Sequence, residues 1–128
     1  MVTVKGFNAV TIFVSVSAIE RELRRFGITS LSPKDYACGN WKLGSGTFLQ
    51  KARQCEWLAA VSNTAIVGVW RIDSQFGWRT MVRCMNPKKI EAIDPARKYC
   101  RLIDLPSATT RSLLGTKVRL YSPFNFNF

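Results

Sequence analysis

From residue 57 to residue 73 the hydrophobic pattern predicts a β-hairpin. Trp57, Ala59 and Val61 fall on one face of an extended run, Leu58 and Ala60 on the other. After a polar break at Ser62-Asn63-Thr64, a second run sets Ile66, Trp70 and Ile72 against Ala65, Val67 and Val69. Short polar breaks between β-branched runs are hairpin turns. Both faces are apolar, so the hairpin is expected in the middle of a sheet covered on each side. Gly68 stands where a packed strand carries a side chain, which signals a bulge, a bend or close approach of another backbone.

Around this hairpin the pattern continues in short elements. Residues 9–16 read as a strand, with Val10, Ile12, Val14 and Val16 on one face. With Lys5 ahead of it, the run 9–18 also has the length of a signal-peptide core; Thr11, Ser15 and Ser17 dilute it, and a buried strand is the preferred reading. Ser17-Ala-Ile-Glu20 fits a capping box that opens a helix, with Ile19, Leu23 and Phe26 as its core stripe and Gly27 as its stop. Ser32-Pro33-Lys34-Asp35 marks a turn or helix start. Thr47-Phe-Leu-Gln50 offers a second capping box, for a helix that buries Phe48, Ala52 and Cys55 and whose first amides suit a phosphate. Residues 79–85, 98–105 and 116–122 read as further strands, and 107–114 as a short helix. The tail alternates strictly, so Phe124, Phe126 and Phe128 share a face that either closes the sheet or docks on a protein partner. The sum is one domain over residues 1–128, mostly β within an α+β class, with five or six strands and two or three short helices. Its N-terminal strand and helix span 9–27, its core 36–122 and its tail 123–128. Closure into a barrel-like sheet would remove exposed edges.

Charge changes this picture most. The first 64 residues carry 8 basic and 4 acidic side chains and the last 64 carry 11 and 4, so 19 stand against 8 and the net charge is +11. With no basic tail to set apart, the folded body itself is cationic and attracts a polyanion. No stretch reaches the roughly 20 apolar residues of a membrane-spanning helix, so no membrane partner is expected. Histidine is absent, which excludes His-dependent hydrolysis, and Cys38, Cys55, Cys84 and Cys100 have no metal-binding spacing. They read as buried thiols in a reducing cytoplasm, and no cofactor or metal is expected. Trp41 sits on a loop between Gly39, Gly44 and Gly46, where it either lines a pocket or plugs the end of a barrel.

The order of motifs resembles the PUA-like superfamily, particularly its EVE and YTH branches. It runs Gly39-Asn-Trp41, a short helix, strand, Ser62-Asn63, strand with Gly68, a loop with Trp78, an Arg-rich strand, and Leu114-Gly-Thr-Lys-Val118. The likeness covers roughly residues 36–122 and implies a pseudobarrel that binds RNA or DNA, in several members through a modified base held by aromatic rings. In the YTH branch one Trp before the helix and one after the hairpin sandwich a methylated adenine. Trp41 matches the first position and Trp78 the second, with Trp70 as a substitute; the third wall of that cage has no counterpart. Ser62-Asn63 resembles a Ser-Val-Asn segment of the family.

Chemistry agrees with that implication. A flipped base needs a flat apolar slot and partners for its edge. Trp41 and Trp78 would supply the slot and Asn40 or Asn63 the edge contacts. Arg79, Arg83, Arg101, Lys117 and Arg119, if gathered on one rim, would hold phosphates. The expectation is a non-catalytic nucleic-acid-binding module. Its rivals are an adaptor or inhibitor of a nucleic-acid enzyme, working through the phenylalanine tail, and a metal-dependent nuclease using Asp73 with Asp104 or Glu56.

Overall fold

In the computed structural model, residues 7–39, 41–80 and 96–127 are described. The first strand, β1 (Thr11–Ser15), is followed by helices α1 (Ser17–Arg25) and α2 (Pro33–Ala37), the short strand β2 (Trp41–Lys42) and helix α3 (Thr47–Gln54). The hairpin is β3 (Trp57–Ser62) and β4 (Ala65–Ile72). Then come β5 (Arg79–Thr80), β6 (Arg97–Tyr99), β7 (Leu102–Asp104), α4 (Ser107–Leu113) and β8 (Phe124–Phe126). The fold is α+β, with two sheets among the described residues. One is five-stranded, in the order β7-β4-β3-β1-β8; the other is three-stranded, β2-β6-β5. The larger sheet is mixed, since β1 runs parallel to β3 while every other pairing is antiparallel.

The hairpin lies at the centre of the larger sheet and both its faces are covered. Ile12, Val14, Leu58, Ala60, Trp70 and Ile72 pack with Leu23, Tyr36, Leu49 and Ala52 of the helices α1–α3. Phe13, Ala59, Val61, Ile66 and Val69 pack on the opposite side against Leu113 of α4 and Val118. Fully burying each such aliphatic or aromatic side chain contributes about 1.5–3 kcal/mol. Ser62 pairs with Ala65, and Asn63 and Thr64 both have positive φ, 48° and 67°. This is a two-residue primed turn, whose twist suits the hairpin.

Several expectations change at this level. The barrel does not close among the described residues: β7 and β8 are edges, and helices on each side cover the faces that closure would otherwise have protected. The pairing slips between Ala60 and Val61, so Val67 is an extra residue opposite β3. Beyond it the parity reverses, which places Ile66 with Val69 and leaves Val67 with Trp70. In α3 the buried positions are Leu49 and Ala52, while Phe48 is 53% exposed and meets Phe124 edge-on at 5.3 Å. Neither expected capping box forms, because Val16 and Gly46 take the cap positions. The expected strand over 98–105 is two strands, which pass from the small sheet to the large one at Cys100-Arg101. The expected strand over 116–122 reduces to one bridge, Lys117 with Ala65.

The phenylalanine tail is an edge strand. Phe124 and Phe126 pair with Val14 and Ile12, and Phe126 is buried. Asn127 Oδ1 accepts from the Thr11 amide at 2.7 Å and its Nδ2 donates to Ala9 O at 3.2 Å. The tail thus closes the edge of the sheet, with Phe126 buried and Phe124 half-buried; Phe128 lies outside the described residues. No helix among the described residues is long and apolar enough to cross a membrane.

Candidate nucleic-acid interface

The chain leaves the large sheet after Ile72 and returns to it at Leu102. The two crossings lie side by side, with the Asp73 amide donating to Arg101 O at 2.9 Å. Asp73 also shapes the turn that follows. Its Oδ1 accepts from the amides of Gln75 at 3.0 Å and Phe76 at 3.2 Å, and the Gly77 amide returns to Asp73 O at 3.0 Å. Gly77 has φ +67°, a left-handed conformation that a side chain would resist. This turn presents Phe76 half-buried at the surface.

Two cations converge on that ring. The guanidinium carbon of Arg79 lies 3.8 Å from the Phe76 centroid and that of Arg101 lies 4.6 Å away. The Tyr99 ring meets Phe76 edge-on at 5.5 Å. Arg79 Nε donates to Phe76 O at 3.1 Å, which fixes the side chain and leaves its terminal amino groups for an anion. Both arginines are exposed, and each such contact contributes about 0.5–1 kcal/mol at a solvated surface. The neighbouring small sheet extends the charge. Among its seven described strand residues four are cationic, Lys42, Arg97, Lys98 and Arg79, and none is acidic. Lys98 Nζ also donates to Thr80 Oγ1 at 3.1 Å.

The remaining candidates are distributed otherwise. Lys117 and Arg119 lie at the far end of β4, by the hairpin turn, where the Val118 amide donates to Thr64 O at 2.8 Å. An eight-residue strand separates them from Phe76 by about 25 Å. The five expected phosphate ligands therefore do not share one rim: Arg79 and Arg101 come together, and Lys117 and Arg119 form a separate group. Arg83, Asn40 and Cys84 lie outside the described residues.

The expected slot between Trp41 and Trp78 is not open. Trp41 is 5% exposed and Trp78 8%, both within the core on the α1–α3 side. Trp41 Nε1 donates to Ala37 O at 2.8 Å and Trp78 Nε1 to Ala52 O at 3.2 Å. Each ring has buried its apolar area and satisfied its one donor inside the protein, so neither offers a face to a base. Trp41 is thus a core residue, with no barrel end among the described residues for it to plug. Ser62 is engaged as well: its hydroxyl donates to Glu20 Oε1, while Tyr36 OH donates to Glu20 Oε2 at 3.0 Å. Burial, together with the neighbouring Glu20 carboxylate, pushes the Tyr36 phenol up to about 12. The Asn63 amide donates to Ser17 Oγ at 3.1 Å. These contacts tie α1 and α2 to the hairpin turn and belong to the fold.

Burial also pushes up the thiols of Cys38, Cys55 and Cys100, and Cys55 reaches about 12. All three are free cysteines. Asp73 is taken up by its turn, and Asp104 is paired with Lys34 at 2.9 Å. No group of three potential metal ligands occurs among the described residues. Phe76 and Tyr99 were not singled out from the sequence; an aromatic in a polar Asp-to-Gly turn next to an arginine was the available signal. Compared with protein-family models, with curated proteins and with solved structures, the chain gives no match.

Proposed function

We propose that the protein is a non-catalytic nucleic-acid-binding module that holds a strand on Phe76, Arg79, Tyr99 and Arg101, with the basic small sheet alongside. The observation that carries this reading is the pair of arginines on one half-exposed ring, within a body of net charge +11. A guanidinium stacked on an aromatic keeps its hydrogen-bonding edge for phosphate. The PUA-like relationship, carried by motif order alone, is kept as part of this proposal. Free buried thiols fit a reducing compartment such as the cytoplasm.

The test is a titration of labelled RNA and DNA oligonucleotides against the wild type and an Arg79→Glu/Arg101→Glu double variant. The expected result is salt-sensitive binding by the wild type and at least a tenfold loss in the variant, with the circular dichroism spectrum unchanged. Wild-type affinity in the variant would overturn the proposal.

A further inference from the structure

On its outer edge β4 is joined to other chain at two places with a gap between them. Near its start, Ile66 exchanges hydrogen bonds with Gly115 and Thr116 at 2.9 Å each. At its end, Trp70 to Ile72 pair with β7. Across the gap lies α4, and a groove of about 410 Å³ remains, lined by Gly68, Trp70, Leu105, Ser107, Thr110 and Arg111 among others. That volume is within the range of small-ligand sites, and the lining is mainly apolar.

Among the described residues, the lining includes a buried ring whose donor is unmet. Trp70 is 9% exposed, and its indole N–H meets no acceptor among the described residues, whereas Trp41 and Trp78 both donate to backbone carbonyls. Buried donors are rarely left unmade. The Trp70 ring lies over Gly68, whose missing side chain makes room for it. At the rim Arg111 is exposed, and Asp104 is occupied by Lys34. An occupant that fits is a flat body carrying hydrogen-bond acceptors, joined to an anion. The groove is also continuous with the interface. Arg101, on the Phe76 ring, directly precedes β7, and Asp104, in the groove lining, ends it, three residues or about 10 Å further along the chain.

We infer that this groove takes one unstacked base of the strand held at Phe76 and Arg101, so that the substrate class is single-stranded nucleic acid. The inference rests on the nucleic-acid reading above. In the bound state the base occupies the space beside Trp70, an acceptor on the base receives the indole N–H, and Arg111 faces the adjoining phosphate.

The experiment uses the full chain and three probes: a labelled single strand, a strand of equal length with abasic linkages throughout, and the blunt duplex. The wild type is expected to prefer the base-bearing single strand over the other two. Trp70→Phe removes the N–H and keeps a ring; Arg111→Ala changes only an exposed side chain. Trp70→Phe should weaken the base-bearing strand about three- to tenfold, the worth of one hydrogen bond, and leave the abasic strand unchanged, whereas Arg111→Ala should weaken both strands, since both keep the phosphate. Arg79→Ala should weaken both strands. If the groove variants bind both strands as the wild type does while Arg79→Ala weakens both, the groove inference fails and the interface stands. Equal affinity for duplex and single strand also overturns the groove. If the wild type binds none of the probes, the interface reading fails with it.

Discussion

Replacing Gly68 with alanine would set a methyl group against the Trp70 indole. A β-carbon built on Gly68 lies 2.3 Å from Trp70 Cη2 and 2.5 Å from Cζ2, where ordinary contact begins near 3.4 Å. The ring is almost fully buried, with Leu58 as the cross-strand partner of its own residue. It cannot move by an ångström without displacing core neighbours or leaving them a void. Overpacking of this kind costs about 1–3 kcal/mol, and the lower chain entropy of alanine in the unfolded state offsets about 0.4–1 kcal/mol of it. A net loss of about 1–2 kcal/mol is expected. With about 2.1 cal/mol/K of unfolding entropy per residue, 128 residues carry roughly 0.27 kcal/mol/K, so Tm should fall by about 4–7 °C. Thermal and urea unfolding followed by circular dichroism would measure it. The decisive comparison is a double-mutant cycle with Trp70→Leu, which removes the ring that the methyl would strike. In that background Gly68→Ala should cost almost nothing. A wild-type Tm for the single variant, or an equal drop in both backgrounds, would refute the argument.

Three further outcomes follow from the same geometry. Thr64 is β-branched at φ +67°, so Thr64→Gly should relieve strain and raise the urea midpoint by an amount equivalent to about 0.5 kcal/mol. Deleting residues 123–128 removes an edge strand, the Phe126 side chain and the Asn127 bonds, and should lower stability by several kcal/mol in urea melts. Tyr36 titrates at about 12 in the fold against 10.0 ordinarily, so the folded state holds its proton more tightly. Its contribution is complete below pH 10.0 and is lost as pH rises toward 12; the alkaline decline in stability should be shallower in Tyr36→Phe.

How far the sequence could be read depended on whether a feature was local. The hairpin and its two covered faces were legible because period-two alternation needs no knowledge of neighbours. Ile66 was misassigned because alternation cannot count through a bulge, even though Gly68 had pointed to one. Its missing side chain is explained by the Trp70 ring rather than by another backbone. At Ser17 the motif was right in composition and wrong in register. That hydroxyl instead accepts the Asn63 amide, a partner 46 residues away, and Glu20 binds Tyr36 and Ser62. Ser32 and Asp35, which read as a turn or helix start, do open α2: the Ser32 amide and hydroxyl both donate to Asp35 Oδ2, at 2.7 and 2.9 Å. For Trp41, a glycine-flanked loop position says nothing about which way a ring turns, and the nearby Ala37 carbonyl decided it. Phe76 and Arg101 come together only because the chain crosses between the sheets twice at one place.

That separation of cations along β4 yields a quantitative expectation for binding. Each phosphate contact with a single strand contributes about −0.7 to the slope of log K against log salt concentration. If Arg79 and Arg101 each neutralise one phosphate, changing both to alanine should make the slope less negative by about 1.4. Lys117 and Arg119 stand about 25 Å away at the other end of the strand. Beyond two Debye lengths at physiological salt they act on a strand at Phe76 only through the weak general field. Lys117→Ala/Arg119→Ala should therefore leave the slope unchanged for a strand just long enough to cover Phe76 and the groove. Both double variants remove two positive charges, so net charge alone predicts the same change for each. Equal slopes in the two variants would mean that the overall charge of the molecule, and not the arginines on the Phe76 ring, holds the polyanion.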